Sequence, residues 1–287
     1  MPLLFLIIAC GLNVVLDIWF VASFRMGVAG AAWATIISQA VSGALCLIRL
    51  FLMRDILHVR LRSLWPSREL LSQLVRRGLP SGLTQAIFSM AMIVVQSLTN
   101  SFGTTIIAVS TVVMRVDGFA MMPNFTFGTA MTTFTGQNIG AKRLDRVEKG
   151  TKDGMKIGLV VSVILVAMIL LFGRYLVEMF TSTPDVIRLS VHMMQILAVG
   201  YVAMAVTQIL SGVMRGAGDT MTPMWISMIT TIVIRVPIAY GLAAWLQSPD
   251  ALFISMLVSW VMGAVLTVLA YRMGRWKRKS VISREAV

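Results

Sequence analysis

Charged residues are scarce in this chain. Asp, Glu, Lys and Arg make up 13% of its 287 residues, whereas soluble domains carry about 25%. Several uncharged stretches exceed the length of about 20 residues that a helix needs to span a bilayer. This composition excludes a soluble globular protein and a disordered one, and it predicts an all-α, polytopic integral membrane protein. The uncharged stretches are Met26–Ile48, Gly78–Met114, Leu189–Met214 and Ala251–Tyr271.

Residue types suited to metal binding or nucleophilic chemistry are also few. The chain has two histidines and two cysteines, Cys10 and Cys46. Both cysteines lie in apolar stretches without a CxxC spacing, which favours packing as small apolar side chains over a disulfide or a metal site. The sequence contains no phosphate-binding loop, zinc-protease motif or convincing Ser/His/Asp set. We therefore expect no enzyme, no cofactor and no metal site.

The positive charge is abundant but unevenly distributed. The net charge is +13, from 25 Lys and Arg against 12 Asp and Glu. The basic residues gather in short segments between apolar runs and form no continuous basic face, which argues against nucleic acid as a partner. A distribution of this kind is typical of the cytoplasmic loops of membrane proteins. Twenty of the 25 basic residues lie within 49–77, 142–156, 215 and 272–284.

Charges, glycines and prolines divide the chain into about eight predicted transmembrane helices. We assign two helices to a first block (1–53), a cytoplasmic linker to 54–79, six helices to a second block (80–273) and a basic tail to 274–287. The linker includes Ser67–Val75, whose pattern is typical of a capped amphipathic helix at the cytoplasmic interface or of a solvated linker helix. The predicted helices are 2–24, 28–48, 80–100, 104–136, 156–178, 186–214, 221–246 and 251–272.

The basic segments are alternate connections between these helices. The positive-inside rule places them, and both termini, in the cytoplasm. The opposite connections contain only Arg25, Arg174 and Arg188. We therefore expect a multi-pass protein of the cell membrane that is surrounded by the lipid bilayer. The expected membrane is a bacterial inner membrane.

A weak internal repeat relates the two ends of the chain. Asn13 is followed after 25 residues by Ser38, and Arg235 after 24 residues by Ser259, in segments with similar polar positions. Transporters are often built from such repeats. If the repeat unit has six helices, the chain holds one whole unit and the last third of another, and four helices are expected to be missing ahead of it.

Three segments carry a resemblance to a known family. They are Leu12–Thr35 (LNVVLDIWFVASFRMGVAGAAWAT), 113–141 (VMRVDGFAMMPNFTFGTAMTTFTGQNIGA) and Arg215–Pro223 (RGAGDTMTP). They resemble parts of the multidrug and toxic compound extrusion (MATE) family, and the likeness covers helices five to twelve of its plan. The resemblance implies a two-lobed antiporter that exports small cationic or amphipathic organic molecules against an inward flow of protons or sodium ions.

The chain departs from that family pattern in two respects. Many members carry a functional aspartate in their first helix, which has no counterpart in this sequence. Some members carry a glutamate in the seventh helix as part of a sodium site. The corresponding segment, 80–100, has no carboxylate and offers only Gln85, Gln96 and Asn100. A sodium site of that kind is therefore not expected.

Asp117 is the leading candidate for ion coupling. It lies about 13 residues into the predicted helix 104–136, or about 20 Å along its axis. An ionisable residue so deep in a span is costly and is a functional candidate by default. The alternative is that Asp117 is the structural half of an ion pair. Arg115 is two positions away and about 200° around the helix, so any partner must come from another helix.

Other polar residues are assigned to the cavity or to helix packing. Asn13 and Asp17 share one helix face and can bridge to a neighbouring helix. The pattern of Arg215–Pro223 predicts a tight turn, in which Asp219 or Thr222 can cap the next helix. Candidate substrate or cavity residues are Arg115, Asn124, Gln85 and Met121; candidate packing or gating residues are Asn13, Asp17, Gln137, Asn138, Arg215, Asp219 and Arg235.

The sequence supports one reading and leaves two alternatives open. The main interpretation is a secondary active multidrug antiporter whose chain is truncated at the N-terminus. The first alternative is a non-transporting membrane remnant or scaffold. The second is a lipid-linked sugar exporter of related architecture. Its cavity would need several cations for an anionic headgroup, while only Arg115 and Arg235 lie deep within the predicted spans of the second block.

Overall fold

The structure is a computed structural model that describes residues 2–52 and 67–278, without the side chains of part of 69–88. The linker segment 53–66 and the tail from 279 onward lie outside the described residues. Within the described ranges the elements are helices and no strand occurs. The predicted all-α fold class is confirmed.

Ten α-helices and two widened π-helical segments form the described chain. They are α1 (Pro2–Ile18), a π-helical segment (Trp19–Ser23), α2 (Gly27–Leu52), α3 (Arg68–Ser101), α4 (Thr104–Gly140), α5 (Leu144–Glu178), α6 (Pro184–Gly216), α7 (Met221–Met228), a second π-helical segment (Ile229–Arg235), α8 (Val236–Leu246), α9 (Asp250–Arg272) and α10 (Arg275–Arg278).

Seven helical runs of the described ranges are long and apolar enough to cross a membrane. The chain is therefore a multi-pass membrane protein, as predicted. The predicted span 80–100 forms the second part of α3. The seven runs are Leu3–Ser23, Gly27–Leu52, Thr104–Gly140, Leu144–Glu178, Pro184–Gly216, Met221–Leu246 and Asp250–Arg272.

Two predicted helix boundaries differ from the structure by more than four residues. Helix α5 begins at Leu144 instead of 156. Lys and Arg are good helix formers, so the basic segment that was predicted as a loop forms the first turns of the helix. Helix α3 begins at Arg68 and continues through Gly78 and Pro80, where a break was predicted. A proline removes one amide donor from a helix, and the other hydrogen bonds of a long helix can keep it continuous.

The chain divides into two compact units, Met1–Val75 and Arg76–Val287. In the first unit α1 packs against α2. Small side chains lie at this contact, since Ala9, Ala34 and Ser38 are buried while most large apolar residues of both helices are exposed. Small residues let two membrane helices approach closely.

Helix α6 is the central helix of the second unit. It packs against α4, α5 and α9. Its buried stripe includes Met193, Leu197, Tyr201, Ile209 and Val213, each less than 2% exposed. This stripe joins two apolar clusters: one around Val113 and Leu252, and one that includes Trp276. An apolar helix surrounded by other helices explains why the sequence of α6 shows no polar face.

Glycines bring α4 and α6 into backbone contact. A Cβ atom at Gly212 would overlap the carbonyl oxygen of Gly128, and one at Gly216 would overlap that of Thr132. A backbone oxygen inside a helix cannot move aside as a flexible side chain can. The spacing of Gly212 and Gly216 is that of the small-xxx-small motif, which permits close helix packing in membranes.

We expect Gly212→Ala to destabilise the protein by about 1–3 kcal/mol, because the added methyl group meets backbone and forces α4 and α6 apart. The measurement is the thermal unfolding midpoint of the purified chain in detergent. Gly241→Ala is the matched control, since a Cβ atom there meets nothing within 4 Å. Equal midpoints for both variants would contradict the close contact.

Candidate functional site

A cavity of about 410 Å³ lies within the second unit, with walls from α3, α4 and α9. The walls are mainly apolar and include Met92, Met121 and Trp260. Two charged side chains also line the cavity: Asp117 of α4, and Arg235 at the end of the second π-helical segment. Apolar walls with a few convergent polar groups are typical of small-molecule sites.

Asp117 is held by a partner from another helix. It is 8% exposed, and its carboxylate accepts a hydrogen bond from the hydroxyl group of Tyr201 on α6. The positive charge of Arg235 also attracts this carboxylate. Among the ion pairs of the described residues, none joins Asp117 to a cation directly. The side chain that hydrogen-bonds to Asp117 therefore comes from another helix, α6, and it is a tyrosine.

Arg235 keeps unused hydrogen-bonding capacity inside the cavity wall. It is 8% exposed and is the last residue of the segment Ile229–Arg235. Its Nη1 lies 3.9 Å from the sulfur of Met92, and its buried Nε has no hydrogen-bond partner within the described part of the chain. Buried polar atoms are rarely left unpaired, so an unpaired one beside a cavity indicates a place for a ligand or water.

The widened turns before Arg235 have a local cause in the sequence. Pro237 follows two residues later in α8 and has no amide hydrogen to donate. A π-helical stretch changes the hydrogen-bond spacing ahead of such a residue, and such stretches occur often at functional sites. Here the stretch ends with the Arg235 side chain on the cavity.

A buried network fixes the position of Tyr201. The side-chain amide of Asn124 donates to the Tyr201 carbonyl over 3.2 Å, and the Ser162 hydroxyl donates to the Asn124 side-chain oxygen over 3.0 Å. The ring of Tyr201 also lies 5.9 Å from that of Trp260. The network links α4, α5 and α6. It holds Tyr201 at its backbone carbonyl and at its ring, and thereby positions the hydroxyl group that faces Asp117.

The candidate cavity residues separate into two groups. Met121 lines the cavity around Asp117. Arg115 is exposed and its guanidinium lies 5.7 Å from the centre of the Phe180 ring, so it does not line this cavity. Asn124 is buried between helices and does not line it either. Gln85 lies on α3, and its side chain is outside the described residues.

The candidate packing and gating residues mostly end or begin helices. The carbonyl of Gln137 accepts the amide of Ala141 over 3.0 Å, and the Asn138 side chain donates to its own helix over 2.8 Å. Arg215 lies in the last turn of α6. Asp219 accepts two hydrogen bonds from Thr222 in the first turn of α7, at 3.3 Å from the amide and 2.7 Å from the hydroxyl.

Asn13 and Asp17 lie on one face of α1 in the first unit. The side-chain nitrogen of Asn13 and one carboxylate oxygen of Asp17 are buried without a hydrogen-bond partner in the part of the chain that the structure describes. Unpaired polar atoms four residues apart are open to a common polar partner.

Sequence reasoning missed Tyr201 and Ser162. Tyr201 lies in the apolar stretch 196–206 of α6. A buried tyrosine usually finds a partner for its hydroxyl group, and this was the signal available in the sequence. Ser162 gives no such signal, because serine can bond to its own helix. No three His, Cys, Asp or Glu side chains cluster as metal ligands would in the described ranges.

Long apolar helices around a cavity with buried charges are the features of a membrane transporter. The sequence model of the MatE family matches residues 80–241, which is more than half of the chain. The chain therefore belongs to the MatE family, whose members are transporters rather than enzymes. The resemblance seen in the sequence is confirmed.

Similar proteins support the same assignment. The chain is 32% identical over 285 residues to "Probable multidrug resistance protein YpnP" of Bacillus subtilis, covering 99% of this chain and 63% of that protein. It is 27% identical over 264 residues to "Probable multidrug resistance protein NorM" of Thermotoga maritima, covering 92% and 57%. The chain thus spans about three fifths of the length of these relatives.

A solved structure also matches closely. It is a MOP superfamily transporter from Pyrococcus furiosus, for which a reversed polarity of the binding pocket suggests a different function. The TM-score is 0.86 and the sequence identity 28%, with 96% of this chain and 62% of that one covered.

Proposed function

We propose that this chain acts in secondary active efflux, exchanging small cationic or amphipathic molecules that leave the cell for a proton or sodium ion that enters it. The observation that carries this proposal is the buried Asp117 carboxylate on an apolar-walled cavity inside the second unit. A carboxylate in such a position can be neutralised by a small ion or by an organic cation, and the two compete for it.

The cavity lining suits substrates of varied shape. Seven lining residues on α3, α4 and α9 are sulfur-containing or aromatic: Met92, Met114, Met121, Phe125, Phe253, Met256 and Trp260. Methionine side chains are flexible and polarisable, and surfaces rich in them accommodate different apolar ligands. The hydroxyl group of Tyr201 keeps the Asp117 carboxylate in place while the occupant changes.

Export of a lipid-linked sugar is the weaker alternative. Its anionic headgroup would call for several cations, and Arg235 is the cation among the residues that line this cavity. The carboxylate of Asp117 would also repel such a headgroup. One cation beside one carboxylate therefore argues against an anionic headgroup in this cavity.

Cation binding can be tested on the purified chain, because the cavity lies within one unit. We expect ethidium to bind with an increase in fluorescence anisotropy, and its affinity to fall as the pH is lowered from about 8 to about 5.5, since protons compete for the same carboxylate. A parallel titration with sodium chloride against choline chloride separates sodium from proton competition. An affinity unaffected by pH and by sodium would contradict the proposal.

The orientation of the chain is a second part of the proposal. We place the basic ends of the helices on the cytoplasmic side of the membrane. These ends include the start of α5 and the segment α10. Both termini are then cytoplasmic, and a bacterial inner membrane is the proposed location.

Single cysteines at Ser67 and Ser182, both exposed, test this orientation. In a background without Cys10 and Cys46, we expect an impermeant maleimide added to intact cells to label the cysteine at 182 and not the one at 67. Permeabilised cells serve as the control, in which both should react. Labelling of the cysteine at 67 alone in intact cells would show the opposite orientation.

A further inference from the structure

A second cavity, of about 600 Å³, lies at the basic end of the second unit. It is bounded by α5 on one side and by the end of α9 with α10 on the other, and Leu210 of α6 also lines it. Since α6 packs against both α5 and α9, the cavity is a groove over α6. It has no residue in common with the cavity around Asp117.

The groove carries an excess of positive charge. Four cations line it, Lys152, Lys156, Arg272 and Lys277, against one carboxylate, that of Glu148. Glu148 forms an ion pair with Lys277 across the groove. Neither Lys156 nor Arg272 is paired with a carboxylate within the described ranges. Both side chains are exposed, so each is open to an anion in the groove.

Aromatic rings fix one wall of the groove. Trp276 is 1% exposed, stacks on Tyr271 with ring centres 5.3 Å apart, and donates its indole hydrogen to the Tyr271 carbonyl over 3.1 Å. The ammonium group of Lys277 lies 5.6 Å from the centre of the Trp276 ring. Tryptophan and tyrosine prefer the depth of the lipid headgroups, which places the groove at that level of the bilayer.

Apolar stripes continue from the cations toward the interior of the membrane. On α5, Val160 and Ile164 follow Lys156 at four-residue intervals on the same face and are 59% and 54% exposed. On α9, Leu269 and Val265 precede Arg272 by one and two turns and are 52% and 47% exposed. Each side of the groove thus presents a cation and then an exposed apolar surface.

We propose that this groove binds the phosphate headgroup of an anionic glycerophospholipid, whose acyl chains lie along the exposed stripes of α5 and α9. Basic pockets between membrane helices on the cytoplasmic side bind such headgroups. Soluble anions can carry the same phosphate group. The exposed apolar stripes of α5 and α9 favour a lipid over a soluble phosphate, because only a lipid has acyl chains to cover them. The bound lipid bridges α5 and α9, which otherwise meet mainly through α6.

The test uses the purified chain in a neutral detergent. We expect phosphatidylglycerol to raise the thermal unfolding midpoint and to remain bound in native mass spectrometry, and phosphatidylcholine with the same acyl chains to do neither. Glycerol 3-phosphate and inorganic phosphate at equal concentration form the soluble-anion arm. Equal effects of both lipids, or of lipid and soluble phosphate, would overturn the proposal.

Charge-removal variants locate the site. Lys156→Gln combined with Arg272→Gln is expected to weaken retention of phosphatidylglycerol on the order of tenfold, because each basic residue near an anionic lipid contributes to binding. Arg146→Gln combined with Lys149→Gln is the matched control: both residues are exposed at the same end of α5 and neither lines the groove. The same loss in both double variants would show attraction by the basic surface in general and overturn the assignment to this groove.

Discussion

The Asp117→Asn variant is expected to bind ethidium with an affinity that no longer changes with pH. In the parent chain, protons compete for the Asp117 carboxylate, so the affinity for a cation is high at high pH and falls as the pH falls. Asparagine is neutral at every pH. The affinity of the variant for ethidium should therefore stay low, on the order of tenfold weaker than that of the parent chain at high pH, which is a difference of about 1.4 kcal/mol. The measurement is the anisotropy titration of folded protein from about pH 5.5 to about pH 8.

The asparagine variant should also remain folded, which is what makes the test informative. Its side-chain oxygen can accept the hydrogen bond of the Tyr201 hydroxyl as the carboxylate does. Asp117 forms no direct ion pair in the described part of the chain, so its replacement breaks none. Asp117→Glu keeps the ionisable group at a slightly different reach and should retain a pH-dependent affinity.

Asp153→Asn is the matched control for the loss of one negative charge. Asp153 is exposed on α5 and lies outside the cavity. Its variant should bind ethidium as the parent does at every pH. If the Asp117 variant also matched the parent throughout, Asp117 would have a structural role alone, and the coupling proposal would fail.

Much of what positions this site was visible in the sequence. A single carboxylate deep in an apolar run identified Asp117 as a candidate, because such a residue is expensive unless something surrounds it. The helical angle between Arg115 and Asp117 predicted that they point apart, and one is exposed while the other is buried. These inferences needed only local periodicity.

The partners of the site residues could not be predicted in the same way. Tyr201 is 84 residues from Asp117, and Ser162 is 38 residues from Asn124. Their contacts depend on how α4, α5 and α6 pack, and many arrangements of apolar helices satisfy the same hydrophobic pattern. Asn124 was therefore assigned to the cavity, while the structure places it between helices.

The sequence shows where the prolines lie, but it does not predict how the backbone of each helix accommodates them. The π-helical segment before Arg235 and the uninterrupted course of α3 through Pro80 both concern how a helix accommodates a proline. Sequence rules treat proline as a point where a helix ends or bends. Packing against neighbouring helices decides which outcome occurs, and that information is tertiary.

The position of Asn124 leads to the last expected result, a strong energetic coupling between Asn124 and Ser162. Ser162→Ala leaves the buried side-chain oxygen of Asn124 without the donor that it has at 3.0 Å, which should cost about 1–3 kcal/mol. In an Asn124→Leu background the same serine substitution removes no such bond, so its additional cost should be small. The double variant is then more stable than the sum of the single effects predicts.

Thermal or denaturant unfolding of the four proteins in detergent gives this coupling, and Thr126→Val in place of Asn124→Leu gives the control cycle. The Thr126 hydroxyl bonds to the Met122 carbonyl in its own helix over 2.9 Å, so its cycle with Ser162→Ala should be additive. Ethidium affinity per folded molecule separates packing from substrate contact: if Asn124 acts between helices, Asn124→Leu lowers stability and changes the affinity little. Additive costs in the Asn124 cycle, together with a large loss of ethidium affinity, would return Asn124 to the substrate-binding role that its sequence position first indicated.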